Sequence, residues 1–166
     1  MSERALRVQF IHGLESNPQG TKARFLASRF EVKARAMDTS DLSGAIETQA
    51  RALAEGKPDV LVGSSFGGGI AVALLARGVW RGPTVLLAPA AAKLGVAAPL
   101  PEGVPVIIVH GLRDTVVLPE DSHSLAKTGT PGLVTLLEVD DEHRLQSLVD
   151  SGQLAELVRQ VAARRR

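Results

Sequence analysis

Pro58-Asp59-Val60-Leu61-Val62-Gly63-Ser64-Ser65-Phe66-Gly67-Gly68-Gly69-Ile70-Ala71-Val72-Ala73-Leu74-Leu75-Ala76 decides the fold. Its first part is a short apolar run, its last part a helix-length stretch of small and aliphatic side chains, and a glycine-rich turn joins them. Within the turn stands Gly63-x-Ser65-x-Gly67, a spacing that suits a serine held in strained backbone at a strand-to-helix junction, with its hydroxyl projecting from the sheet. The backbone two residues before and two after such a serine closes up, so Gly63 and Gly67 are expected where a Cβ would clash. Each further glycine opening the helix costs about 1 kcal/mol against alanine; close approach of helix to strand explains Gly68 and Gly69. Two other glycine motifs do not fit. A phosphate-binding loop needs a lysine after its last glycine, and a dinucleotide fingerprint needs glycine where Ser65 stands.

Outward from this stretch, strand-like and helix-like segments alternate. Strands are expected over 5–11, 31–36, 83–88, 104–109 and 133–139, besides the one before Ser65. The helices between them are expected over 21–30, capped by Thr21, from Asp41 or Ser43 to Glu55, from the turn to Ala76, and from Pro119 to Lys127; a last one runs from Glu142 or His143 to Ala163. The fourth and fifth strands are almost wholly apolar, as strands buried on both faces are. The pattern predicts the α/β class: a doubly wound, mainly parallel six-stranded sheet with helices on both faces. The 166 residues read as one domain, 1–166.

Composition narrows the chemistry. There is no cysteine, which excludes disulfides, thiol nucleophiles and cysteine-based zinc sites. A net charge of +1 makes no electrostatic case for nucleic acid or membrane partners, and the arginines 164–166 read as a solvated tail. Residues 1–4 lead straight into a strand-like segment without a signal peptide's apolar run, and no apolar stretch is long enough for a membrane span, so a cytoplasmic protein is expected.

Ligands of open parallel sheets bind at the carboxyl ends of the strands. After the first strand comes His12-Gly13, after the third Ser65, after the fifth His110-Gly111-Leu112-Arg113-Asp114, and after the sixth Asp140-Asp141-Glu142-His143. A hydroxyl, a carboxylate and an imidazole thus follow in the order Ser65, Asp114, His143. Ser65 needs a base to become a nucleophile, His143 is the side chain suited to take and return its proton, and Asp114 would fix the imidazole's tautomer. An oxyanion hole is expected from the amides of Phe66 and Leu14. Asp140 and Asp141 are reserve acids that read better as loop or helix-cap carboxylates, and His123 falls on a helix away from the strand ends. His12 and His110 each precede a glycine and read as shaping loops by hydrogen bonding. No pair has metal-ligand spacing, so neither metal nor cofactor is expected.

Through Phe10-Ile11-His12-Gly13, the Gly63–Gly67 turn, His110–Asp114 and Asp141-Glu142-His143, the chain resembles the α/β-hydrolase superfamily, in particular compact, lidless bacterial serine esterases. The resemblance implies a truncated α/β-hydrolase fold with strand order two-one-three-four-five-six. Two departures are expected: the His12-Gly13 loop follows the first strand read, without the superfamily's two N-terminal antiparallel strands before it, and the short link 89–103 stands where relatives insert a cap. The expected activity is hydrolysis of carboxylic esters with small acyl groups, thioesters included, through an acyl-enzyme. His12, Gly13, Leu112 and Val116 are the expected substrate-binding residues, and Leu14, Phe66 and Val117 further apolar walls. Alternatives are a non-catalytic ligand-binding protein on the same scaffold and an amidase or peptidase using the same three groups. The expected partner is a small-molecule ester; open sheet edges suit either a monomer or a homodimer.

Overall fold

The computed structural model describes residues 5–14, 17–96 and 99–164; residues 1–4 and the last two arginines, on which sequence expectations fall, lie outside them. Twelve elements follow in chain order: β1 (Arg7–Ile11), α1 (Thr21–Ala27), β2 (Glu31–Ala34), α2 (Leu42–Gly56), β3 (Val60–Ser64), α3 (Phe66–Ala76), β4 (Thr84–Leu87), β5 (Val106–Gly111), α4 (Pro119–Ala126), β6 (Val134–Val139), α5 (Gln146–Asp150) and α6 (Gln153–Ala163). The strands form one six-stranded sheet in the order β2-β1-β3-β4-β5-β6. Every neighbouring pair is parallel.

Period-two alternation in the central strands divides the core. Val60, Val62, Val85, Leu87, Ile107 and Val109 face one side, where Leu26 of α1, Leu148 of α5 and Leu154, Leu157, Val158 and Val161 of α6 cover them. Leu61, Leu86, Val106 and Ile108 face the other side, against Ala45, Ile46 and Leu53 of α2 and the apolar body of α3. Helix α3 is buried from Phe66 through Leu75, and its uniformly apolar sequence is that of a helix with no solvent face. One polar pair crosses between β1 and α2: the buried Gln9 donates from Nε2 to Gln49 Oε1 at 2.9 Å.

The helix boundaries depart from the sequence reading in physical ways. Asp41 does cap α2, its side chain accepting from Gly44 N–H at 3.0 Å, and Lys57 closes it in the left-handed region. Thr21, by contrast, is the first helical residue of α1, preceded by Gly20 with no side-chain cap. The last helix is two. Leu145 adopts φ 51° and Gly152 φ 78°, and these left-handed turns delay the start to Gln146 and split α5 from α6.

The chain leaves β1 toward one sheet edge to form β2, then returns past β1 to form β3. The carboxyl ends of β1 and β3 therefore flank the point where winding reverses, the position at which open parallel sheets leave a crevice.

Candidate active site

Ser65 lies between β3 and α3 with φ 54° and ψ −113°, a backbone conformation rare for any residue with a side chain. It is held there from several directions. Its N–H donates to the Leu87 carbonyl at 2.8 Å, and its own carbonyl accepts from Gly69 N–H at 3.0 Å and Ala90 N–H at 2.9 Å. A Cβ on Gly63 would lie 2.6 Å from the Gly67 carbonyl oxygen, the clash the Gly-x-Ser-x-Gly spacing implies. Gly67 is required for a different reason: its added Cβ would collide with the Ile11 and His12 carbonyls, so the glycine lets α3 approach the end of β1. Gly68 packs against Pro89 and the Gly63 carbonyl of β3, and Gly69 against the Ala90–Leu94 segment after β4.

Asp114 and His143 are brought to Ser65 by a backbone seam between the loops after β5 and β6. Leu112 N–H donates to the Val139 carbonyl at 2.9 Å and Arg113 N–H to the Asp141 carbonyl at 3.0 Å. Gly111 makes the seam possible, since a Cβ there would stand 2.5 Å from the Asp141 carbonyl oxygen. Arg113 adds a salt bridge to Asp140 at 2.9 Å and another to Glu142 at 3.4 Å. It therefore braces the loop that carries His143. Two residues further on, the fully buried Leu145 anchors that loop in the core.

The resulting geometry is linear. Ser65 Oγ lies 2.9 Å from His143 Nε2, and His143 Nδ1 lies 2.8 Å from Asp114 Oδ2. A carboxylate can only accept, so Nδ1 carries the proton, and Nε2 turns its lone pair to the serine hydroxyl. Asp114 is 4% exposed, and its Oδ1 accepts from Val116 N–H at 2.8 Å and Val117 N–H at 2.9 Å. Burial alone would raise its pKa, but the His143 hydrogen bond, the two amides and the charge His143 can carry outweigh it and hold the carboxyl below its ordinary value. The reserve acids stand elsewhere: Asp140 pairs with Arg113, and Asp141 accepts from Ser147 N–H at 2.9 Å and Ser147 Oγ at 2.6 Å in the first turn of α5. Asp141 also lies near Lys22 of α1, whose ammonium is lowered by burial and by Arg144, with Asp141 opposing.

The remaining expected site residues fall into three groups. Gly13 lies against the serine, its added Cβ 3.4 Å from Ser65 Cβ. His12 is 3% exposed; its Nδ1 donates to the Gly13 carbonyl at 2.8 Å, and its buried Nε2 has no partner among the described residues. Leu14, Leu112 and Val116 are exposed by 58%, 55% and 49%, and with Leu118 at 58% they put large apolar side chains on the loops after β1 and β5. Two expected walls are not walls: Phe66 and Val117 are buried, Phe66 within the core on the α2–α3 side of the sheet. The Phe66 amide nonetheless opens α3, where first-turn N–H groups have no carbonyl one turn back.

His110 is the residue most misplaced by the sequence reading. Strand β5 continues through Gly111, so His110 is a fully buried strand residue rather than part of a loop. His123 lies on α4 with its Nε2 3.0 Å from Glu138 Oε1 of β6. The link after β4 is more than a bare connection: with α4 it encloses an open groove of about 560 Å³ lined by Pro89, Ala91, Ala92, Val96 and Leu125, among others. Among the described residues no group of three or more histidines, aspartates or glutamates stands where it could hold a metal ion. Among them, too, no helix is long and apolar enough to cross a membrane.

Comparison with solved structures agrees with this architecture. A candidate hydrolase of the alpha/beta superfamily from Xanthomonas campestris pv. campestris superposes with a TM-score of 0.63 at 26% identity, over 95% of this chain and 96% of that one. Est1E from Butyrivibrio proteoclasticus gives 0.76 at 15% identity, over 98% and 89%. A monoacylglycerol lipase from Paleococcus ferrophilus gives 0.73 at 13% identity, over 95% and 94%. The chain has the α/β-hydrolase fold. Residues 7–98, more than half of its length, match the model of the uncharacterised protein family UPF0227, and the chain belongs to that family. No curated protein matches it.

Proposed function

We propose that the protein is a serine hydrolase that cleaves carboxylic esters with small acyl groups, thioesters included, through an acyl-enzyme. The observation that carries this reading is the unbroken chain Ser65 Oγ–His143 Nε2, His143 Nδ1–Asp114 Oδ2, starting from a serine in strained backbone. Ser65 Oγ attacks the ester carbonyl carbon while its proton passes to His143 Nε2. The amides of Phe66 and Leu14 receive the oxyanion. As the carbonyl re-forms, the bond to the alkoxide or thiolate breaks and His143 returns the proton to the leaving group. Water then attacks the acyl carbon with His143 again as base, releasing the acid and restoring Ser65. Throughout, ionised Asp114 holds the imidazole and stabilises its cation.

The surroundings support an apolar acyl group. The exposed Leu14, Leu112 and Val116 offer an apolar rim, and the groove behind Pro89 begins one residue from Ala90, whose N–H is bonded to the Ser65 carbonyl. Its small aliphatic lining suits a short chain. The test is hydrolysis of p-nitrophenyl esters from acetate to decanoate by wild type and Ser65→Ala. Turnover that rises from acetate to butyrate and is lost in the variant is expected; equal turnover by both proteins would overturn the proposal.

A further inference from the structure

Asp114 serves two histidines. Besides His143, its Oδ2 lies 3.2 Å from Nε2 of His110, a side chain that is 0% exposed. The protonation of His110 follows from its neighbours. Nε2 also lies 2.8 Å from the Val117 carbonyl oxygen, so it faces two groups that can only accept and must carry a hydrogen. On the other side of the ring, Nδ1 lies 2.6 Å from Oγ of the fully buried Ser122 on α4. The neutral ring offers a lone pair there, and the Ser122 hydroxyl donates to it. Ser122, His110 and the Val117 peptide therefore form a second hydrogen-bonded chain, sealed in the core, that reaches Asp114 through the Val117 N–H.

We propose that His110 is a positioning residue: oriented by Ser122, it donates from Nε2 to the carbonyl of Val117, whose own N–H holds Asp114 Oδ1, and with its Nε2–H edge 3.2 Å from Oδ2 it fixes, from inside the core, the carboxylate that orients His143. This rests on the reading of Ser65, His143 and Asp114 as the acyl-transfer centre. With Val116 and Val117 as donors to Oδ1 and His143 as donor to Oδ2, Asp114 is satisfied at both oxygens, so it cannot rotate without breaking several bonds at once. Without the His110 N–H edge beside it, Oδ2 would face His143 alone, and the Val117 peptide would lose its anchor. The carboxylate would then be the stronger acceptor and would favour the imidazolium of His143. His110 reaches no substrate, so its effect belongs in turnover rather than in binding.

The test compares wild type with His110→Leu, His110→Gln and Ser122→Ala, each checked for a cooperative thermal melt. His110→Gln keeps an N–H donor near the position of Nε2, and Ser122→Ala removes only a hydroxyl, so the comparison stands even where the leucine variant does not fold. The His143 ring is titrated by NMR, and kcat and KM are followed against pH with the p-nitrophenyl ester that wild type hydrolyses fastest. Charged groups on the adjoining elements also act on His143: Arg113, Asp140, Asp141, Glu142 and Arg144 in the loops after β5 and β6, Lys22 on α1, His12 after β1, and Asp121, His123 and Glu138 on α4 and β6. They are the same in every variant, so differences report His110. We expect the His143 midpoint and the acid limb of kcat/KM to move up by about half a pH unit in His110→Leu and less in Ser122→Ala. Turnover is expected to fall roughly tenfold in His110→Leu at unchanged KM, with His110→Gln recovering most of it. An unchanged His143 titration in the folded variants, or a loss confined to KM, would overturn the inference. The titration needs no substrate: an inert wild type would count against the esterase reading, while the NMR shift would still decide whether His110 acts on Asp114.

Discussion

At the scale of single residues, the site is marked by strain and by saturation of one carboxylate. Four non-glycine residues among those described have positive φ; Ser65 and Ala88 directly follow β3 and β4, and Leu145 opens α5 two residues after His143. Strain collected there is held by surrounding structure rather than relieved, as at sites where geometry is used. Asp114 makes a prediction of its own. Its folded pKa is lowered, so it contributes stability that is complete above the unfolded carboxylate value of about 3.9 and is lost as pH falls through the lower folded value. Asparagine at this position does not titrate. Denaturant unfolding of wild type and Asp114→Asn should therefore show a stability gap that is widest near neutral pH and narrows below about pH 4; a gap constant from pH 6 to 2 would contradict it. The same variant should lose roughly three to four orders of magnitude in kcat, because the amide favours the wrong tautomer of His143. Ser65, Asp114 and His143 are legible in the sequence because each follows a strand whose apolar run announces its end. The role of His110 is not. The following glycine reads as the end of a strand, whereas Gly111 is a strand residue without a Cβ so that the loop at 141–142 can pack onto it.

At the scale of elements, the sequence is reliable where one signal decides and misleading where two compete. Strands β3, β4 and β5 are apolar on both faces, and α2 has its Asp41 cap and its Gly56-Lys57-Pro58 stop; these are read to within a residue or two. The last helix is not. Leu145, Leu148, Leu154, Leu157 and Val161 keep helical spacing across the break, because α5 and α6 cover the same face of the sheet. The left-handed turns at Leu145 and Gly152 interrupt the backbone without interrupting the apolar pattern. The link after β4 was equally opaque, since its packing on α4 is a tertiary fact. If the acyl group lies in the groove formed there, filling it should discriminate by chain length. Ala92 lines the groove and its side is exposed, so Ala92→Trp should fold normally. Each buried methylene contributes about 0.8 kcal/mol, so KM for p-nitrophenyl butyrate should rise roughly tenfold while that for acetate changes little. Equal effects on the two esters would place the acyl chain elsewhere.

At the scale of the whole molecule, the parallel sheet does most of the positioning. Reversal of winding between β1 and β3 opens a crevice where Ser65 and Gly13 meet, and β5 and β6 bring Asp114 and His143 to the same end. This architecture was legible because alternating strands and helices in one chain have few ways to pack; the strand order came from the likeness to a known superfamily and is the order found. The fold by itself does not fix an activity. The central claim is that Ser65 is an activated nucleophile, and covalent labelling tests it without a guess at the substrate. Wild type, Ser65→Ala and His143→Ala would be incubated with a fluorophosphonate and analysed by intact-mass and peptide mass spectrometry. The account predicts a single adduct on Ser65 in wild type, none in Ser65→Ala, and labelling slowed by orders of magnitude in His143→Ala. An unlabelled wild type, or an adduct on another side chain, would contradict it.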